Sequence, residues 1–282
     1  MQFNFNHKNV GAISRPYWIQ RILLIGACLV LSTQSLWAGK VYCGNKPFTV
    51  GFYEYGLYYD SNGKGIDKDI IDELKKRTGC PFEEMVLKRA RIWSDLASGD
   101  LDIGMTGIQT EERDNFAWFA NYLSMKNYAI LRAGIADKVK RPEDFLALKD
   151  LQFGMLRSFK HGVIQDQIID QLRAQQRVQE SPDAESIFKK LKEQRVDAMF
   201  SQPTTYHKHL KELQMEKDVV IQDWTPSEKG TIHGLIMSKS RFSEVQFKQW
   251  KAVIDEMRAD GTLKRIYQKY LPPADAQKML DF

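Results

Sequence analysis

Cysteine is scarce in this chain, with three in 282 residues. That is too few for a disulfide-stapled scaffold or a thiolate metal cluster. Histidine is scarce as well, at five. His7 lies in the N-terminal segment. His207 and His209 stand two apart on an expected helix, so they point to different faces, and neither has an acidic third ligand nearby. No metal or cofactor site is expected. Long apolar runs are missing too: the longest, Ile22 to Leu31, spans ten residues, against the ~20 that a membrane-spanning helix needs. Charge of one sign is also lacking. The net charge is +5, from 41 Lys and Arg against 36 Asp and Glu. Lys8, Arg15 and Arg21 fall in the first 38 residues, which hold no acid, so the remainder is nearly balanced. With no basic stripe interleaved with aromatics, nothing indicates a nucleic-acid partner. No Gly-x-Ser-x-Gly elbow, phosphate-binding glycine loop or cysteine–histidine pairing stands out, so no catalytic constellation emerges. Asp67 and Asp69 could be a carboxylate pair, but both fit the start of a helix.

What is present is a repeat. Ile92-Trp93, Leu96 and Leu101-Asp102 recur as Ile187-Phe188, Leu191 and Val196-Asp197, every position 95 residues downstream of its match. The apolar residues at i, i+1 and i+4 suit one face of a short helix. A tight turn follows (Ser98-Gly99-Asp100 or Glu193-Gln194-Arg195), then a short apolar strand. Two such units predict two similar α/β lobes with a cleft between them. An apolar content of 43% with 27% charged residues is that of a globular protein.

The N-terminus reads as an export signal over residues 1–38. Arg15 and Arg21 precede the ten-residue apolar run, and Ala38-Gly39 offers a cleavage site. An uncleaved anchor stays open, as does a lipoprotein box at Ile25-Gly26-Ala27-Cys28. Beyond the signal only Cys43 and Cys80 remain, an even pair for an oxidising compartment. Their bridge would contribute about 4 kcal/mol on the chain-entropy account; two unpaired buried thiols are the alternative.

Along the exported chain, Phe48 to Phe52 reads as a strand, followed by an aromatic loop with Tyr53, Tyr55, Tyr58 and Tyr59. Asp67 is expected to cap a helix over 68–78 that ends at Gly79. Phe82 to Leu87 is a second strand, and Thr110-Glu111-Glu112-Arg113 opens another helix. Gln152 to Met155 restates the first strand in the second lobe. Helices are expected over 161–175, 204–213, 244–258 and 263–270, and strands over 177–180, 219–222 and 232–237. Chain crossings near Leu131 and Gly234 divide the molecule into one lobe of residues 39–130 plus 235–282 and another of 131–234. Two such connections form a hinge.

These residues resemble the family 3 extracellular solute-binding proteins, the receptors that feed polar amino-acid-type ATP-driven importers. The likeness rests on Val50-Gly51, Gly65-Ile66-Asp67-Lys68-Asp69-Ile70, Leu96-x-x-Gly99-x-Leu101-Asp102, Thr110-Glu111-Glu112-Arg113, and Met257 to Leu263 followed by Tyr267 to Tyr270. It implies an α/β, bilobal periplasmic-binding-protein fold of type II, with two mixed, mainly parallel sheets joined by two crossover strands. It implies a periplasmic monomer that closes over a small polar carboxylate-bearing solute, an amino acid or a related compound, binds no cofactor, and hands its ligand to a membrane ABC permease. By the same resemblance, Arg113 would grip the ligand carboxylate, a bidentate charge-assisted contact. Thr106 and Gly107 would supply hydroxyl and backbone contacts, and Tyr55 and Tyr58 an aromatic wall. Arg157-Ser158 occupy the loop where the family often has a Gly-Thr carboxylate contact; Arg157 is either a second anion contact or a surface charge. The family usually places an aspartate for the ligand ammonium where this chain has Gln202, in Phe200-Ser201-Gln202-Pro203. That departure weighs against a standard α-amino acid and sets beside it, on equal footing, a carboxylate without an amine or another small polar or aromatic solute. Two rival functions share this pattern: a sensory or accessory protein acting in trans, and an exported dehydratase-like enzyme on the same fold.

Overall fold

In a computed structural model, residues 1–3, 41–157, 159 and 161–282 are described. Beyond residue 3 the expected export signal lies outside the described residues, as does Ser158. The chain divides into two units, residues 1–39 and 40–282, and the second carries both sheets. Among the described residues, no helix is long and apolar enough to cross a membrane.

Strands and helices alternate as the repeat predicted. β1 (Phe48–Phe52), α1 (Ile66–Thr78), β2 (Phe82–Val86), α2 (Arg89–Ser98), β3 (Ile103–Gly107), the single turn α3 (Glu111–Asp114) and β4 (Ala117–Met125) come first. β5 (Tyr128–Arg132), α4 (Pro142–Ala147), β6 (Phe153–Leu156), α5 (Val163–Ala174), β7 (Val178–Ser181), α6 (Ala184–Lys192), β8 (Ala198–Ser201), α7 (Pro203–Glu212) and β9 (Val219–Gln222) come next. The chain closes with β10 (Thr231–Ser238), α8 (Glu244–Ala259), α9 (Thr262–Gln268) and α10 (Pro273–Lys278).

Two five-stranded sheets result, in the orders β2-β1-β3-β10-β4 and β7-β6-β8-β5-β9. In each, the first three strands of that order pair in parallel and the fourth is antiparallel to both its neighbours, so four of the five strands share one direction. β5 belongs wholly to the second sheet and β10 wholly to the first. The lobe exchange therefore occurs between β4 and β5 and between β9 and β10, not within those strands near Leu131 and Gly234. The strand sequences could not reveal this, because an apolar run reads the same in either sheet.

The repeated aspartates do the same job in each lobe. Asp102 accepts a hydrogen bond from Thr49 N (2.8 Å) and pairs with Arg241 Nε (2.6 Å). Asp197 accepts from Gln152 N (2.7 Å) and from Arg132 Nε (3.0 Å). Each carboxylate thus pins the start of β1 or β6 to the loop entering the central strand of its sheet, β3 or β8. The first lobe's core centres on Trp250 of α8 and on Ile66, Ile70, Ile71 and Leu74 of α1. The second lobe packs its apolar residues on both faces of its sheet, around Phe145, Phe153 and Phe200 and around Ile187, Phe188 and Tyr206.

Cys43 and Cys80 are joined, with Cα atoms 5.1 Å apart, within the usual range for a disulfide. The lobes also touch beside the connections. Leu57 N donates to Thr204 O (3.0 Å), and His207 Nε2 of α7 meets Asp275 Oδ2 of α10 at 2.8 Å.

One local expectation is overturned. Asp67 does not cap α1. The N-cap is Gly65, at φ 149°, where an added Cβ would lie 2.1 Å from Tyr58 O. Asp67 sits inside the first turn with its side chain turned into the core, 1% exposed. The capping rule is local, and a buried hydrogen-bond demand elsewhere in the fold overrides it.

Candidate functional site

Between the lobes lies a cavity of about 640 Å³, within the size range of small-molecule sites. Its first-lobe wall comes from the aromatic loop after β1. The rings of Tyr53 and Tyr55, and of Tyr55 and Tyr58, stack with centroids 6.0 Å apart in each pair. All three tyrosines line the cavity, so the wall includes Tyr53 beside Tyr55 and Tyr58.

Arg113 lines the cavity. Its guanidinium carbon lies 3.7 Å above the Trp93 ring, and its Nη1 donates to Ile108 O at 2.7 Å. The helix that carries it is one turn long, with Thr110 Oγ1 accepting from Arg113 N (3.3 Å). A single turn contributes little dipole, so anion affinity here rests on the guanidinium itself. Partial burial, then the nearby Arg89 charge, push its pKa down from the ordinary value, yet arginine stays cationic.

Thr106 lines the cavity in an uncommon backbone state, φ 50°. A β-branched residue there is strained, and such outliers persist where surrounding contacts over-determine them. The contacts are explicit. Thr106 N donates to Tyr122 Oη (2.7 Å), and Thr106 Oγ1 donates to the Asp67 carboxylate (2.7 Å), which also accepts from Tyr122 Oη (2.8 Å). Burial raises the Asp67 pKa to about 7, against the lowering effect of those two hydroxyls. His233, also on the cavity wall, is pushed down to about 4 by burial. Gly107, by contrast, is outside the cavity wall: an added Cβ would lie 2.2 Å from Ile236 Cγ1, so this glycine serves the β3–β10 contact.

The second lobe contributes Gln202, 9% exposed at the N-cap of α7, together with Phe159 and His161. Arg157 does not line the cavity. Its side chain is 64% exposed and lies 3.6 Å from Glu180 Oε2, a surface charge.

Several cavity residues escaped the sequence reading. Arg89, the first residue of α2, stands over the Tyr53 ring at 4.5 Å and reaches Thr106 O at 3.4 Å. It precedes Trp93 by four positions, so helical spacing alone puts both on one face. Asn127, in the first connection, donates through Nδ2 to His161 O (2.6 Å), while its Oδ1 has no hydrogen-bond partner among the described residues although the residue is 5% exposed. No sequence signal marks Asn127, because its place depends on where the two lobes exchange the chain.

Chemically, the cavity presents two guanidiniums on one side, amides on the other and phenol rings along the wall. Residues 49–273 match the bacterial extracellular solute-binding proteins, family 3. The chain belongs to that family. Among curated proteins, no sequence match to it is found. Among solved structures, an ancestral cationic amino acid solute binding protein is 22% identical, covering 80% of this chain and 96% of that one, with a TM-score of 0.63. The L-cystine solute receptor of Neisseria gonorrhoeae in its unliganded open conformation is 18% identical over 81% and 94%, with a TM-score of 0.61. The arginine-, lysine-, histidine-binding protein ArtJ from Geobacillus stearothermophilus is 20% identical over 83% and 100%, at 0.59. At these identities the structural likeness establishes the fold of this family 3 protein, the two-lobed type II architecture.

Proposed function

We propose that this family 3 protein is an exported receptor that closes its lobes over a small solute bearing a carboxylate and lacking an α-ammonium. Residues 41–126 with 230–282 form one jaw and 128–222 the other, and the segments between them act as the hinge. Signal-directed export places the protein in the periplasm, where the closed form delivers its ligand to an ABC importer. The observation that carries this reading is Arg113 on the wall of an interlobe cavity, faced from the second lobe by the uncharged Gln202. A guanidinium offers a carboxylate two parallel N–H donors. An ammonium would be desolvated on closure with no carboxylate to receive it, a net cost. Thr106, Tyr55 and Tyr58 orient the rest of the solute, and the Cys43–Cys80 bridge suits the oxidising compartment.

A thermal-shift and calorimetric comparison of wild type and Arg113→Ala against amino acids and their deaminated carboxylates tests it. The deaminated acids should stabilise the wild type, as any ligand specific for the folded state must, and lose at least about tenfold in affinity on loss of the bidentate contact. Binding confined to the amino acids, or unchanged in the variant, would refute the assignment.

A further inference from the structure

The cavity wall holds two guanidiniums and, among the described residues, no acid. Arg113 and Arg89 share one indole, with their guanidinium carbons 3.7 and 5.9 Å from the Trp93 centroid. Their separation therefore cannot exceed the sum of those distances. Arg89 also stands over the Tyr53 ring, 4.5 Å from its centroid. Aromatic faces hold a cation without neutralising it. Each guanidinium gives an N–H to a backbone carbonyl, Ile108 O for Arg113 and Thr106 O for Arg89. Neither has an ion pair with a carboxylate among the described residues. No Asp, Glu or Lys among the described residues lines the cavity. Asp67, the acid that feels Arg89, is 1% exposed and engaged by Thr106 and Tyr122. Like charges held this close repel, and the fold brings them together at its binding cavity rather than dispersing them. A bound anion relieves that repulsion.

A single carboxylate satisfies one planar guanidinium fork, which leaves the second fork open. Across the cavity stand two amides that read hydrogen bonds but no charge: that of Gln202, and that of Asn127, whose Oδ1 has no partner among the described residues. We propose that Arg89 and Arg113 are a pair of anion clamps, and that the cleft selects small dicarboxylates lacking an ammonium over the matching monocarboxylates. This rests on the carboxylate reading of the cleft given above and adds to it the identity of the second binding group. One terminus of the ligand meets Arg113 and the other Arg89. The tyrosine wall covers the carbon chain between them, and Asn127 Oδ1 accepts from a ligand hydroxyl.

Isothermal titration of the purified protein with matched pairs distinguishes the possibilities: butyrate against succinate, valerate against glutarate, and benzoate against isophthalate. At least one dicarboxylate should bind about tenfold or more tightly than its partner, as expected for one added charge-assisted contact. Arg89→Gln should reduce dicarboxylate affinity about tenfold more than monocarboxylate affinity, whereas Arg113→Gln should weaken both. Arg89→Lys keeps the charge without the planar fork and should retain part of the preference. Thermal melting of each unliganded variant shows that it is folded. If mono- and dicarboxylates bind equally, or Arg89→Gln weakens both alike, the second clamp is refuted while the receptor reading stands. If no carboxylate of either class binds, the carboxylate reading fails and the clamp with it.

Discussion

Replacing Asp67 by asparagine should change how stability depends on pH, with a sign opposite to that of an ordinary carboxylate. Asp67 is fully enclosed, and burial lifts its pKa from 3.8 to about 7. The folded state therefore holds the proton more tightly than the unfolded state. Stability contributed by this group is greatest below the unfolded value and falls as pH rises through the window from about 4 to 7. Three units at ~1.4 kcal/mol each make that loss about 4 kcal/mol. His233 works in the other direction. Burial pushes it from 6.5 to about 4, so the folded state releases its proton early and stability rises with pH between those values, by about 3 kcal/mol. The two nearly cancel in the wild type. In Asp67→Asn the fall is gone, because the amide mimics the neutral acid between Thr106 and Tyr122, and the rise due to His233 is exposed. Urea unfolding of both proteins at pH 4, 5.5 and 7 measures the difference. The variant should gain stability relative to wild type by about 4 kcal/mol across that range. Surface aspartates held below their usual range, such as Asp183 and Asp260, are common to both proteins and drop out. A wild-type-to-variant difference that stays constant with pH would refute the reasoning.

Single contacts carry further consequences. Gln202→Asp returns a carboxylate to the second-lobe wall and should raise affinity for α-amino acids by about tenfold, the value of one charge-assisted contact; calorimetry with a panel of amino acids measures it. Thiol titration of the native protein should find Cys43 and Cys80 unreactive, and replacing both by alanine should lower stability by up to about 4 kcal/mol in chemical denaturation. Asp102→Ala leaves Thr49 N and Arg241 without their carboxylate partner, and should cost about 2–4 kcal/mol by the same assay.

The repeat was legible because its apolar residues at i and i+4 became buried in both α2 and α6, with Phe188 buried and Trp93 half-buried at i+1, and its aspartates reached equivalent strand starts. β1 and β9 fall on the residues expected for them, each a short apolar run between turn signals. β4 gave no warning. Ala117–Met125 is buried almost throughout, so it lacks the alternation that marks a half-buried strand. The exchange points were misplaced for a related reason, since which sheet a strand joins is decided by partners far away in sequence. The cavity obeys the same division. Tyr55, Tyr58, Thr106, Arg113 and Gln202 lie on its wall and were visible as a pattern. Asn127 became visible only where the connection between the lobes meets the second-lobe loop. Asp67 looked like a capping residue because capping is a local rule, and its buried network with Thr106 and Tyr122 spans 55 residues of chain.

The most direct test of the central claim is a crystal structure of the protein bound to the tightest carboxylate found by titration. The ligand should lie between the lobes with a carboxylate oxygen within about 3.2 Å of the Arg113 guanidinium, touching residues of both sheets. A carboxylate bound elsewhere, or seated in the cleft with Arg113 turned away from it, would contradict the account.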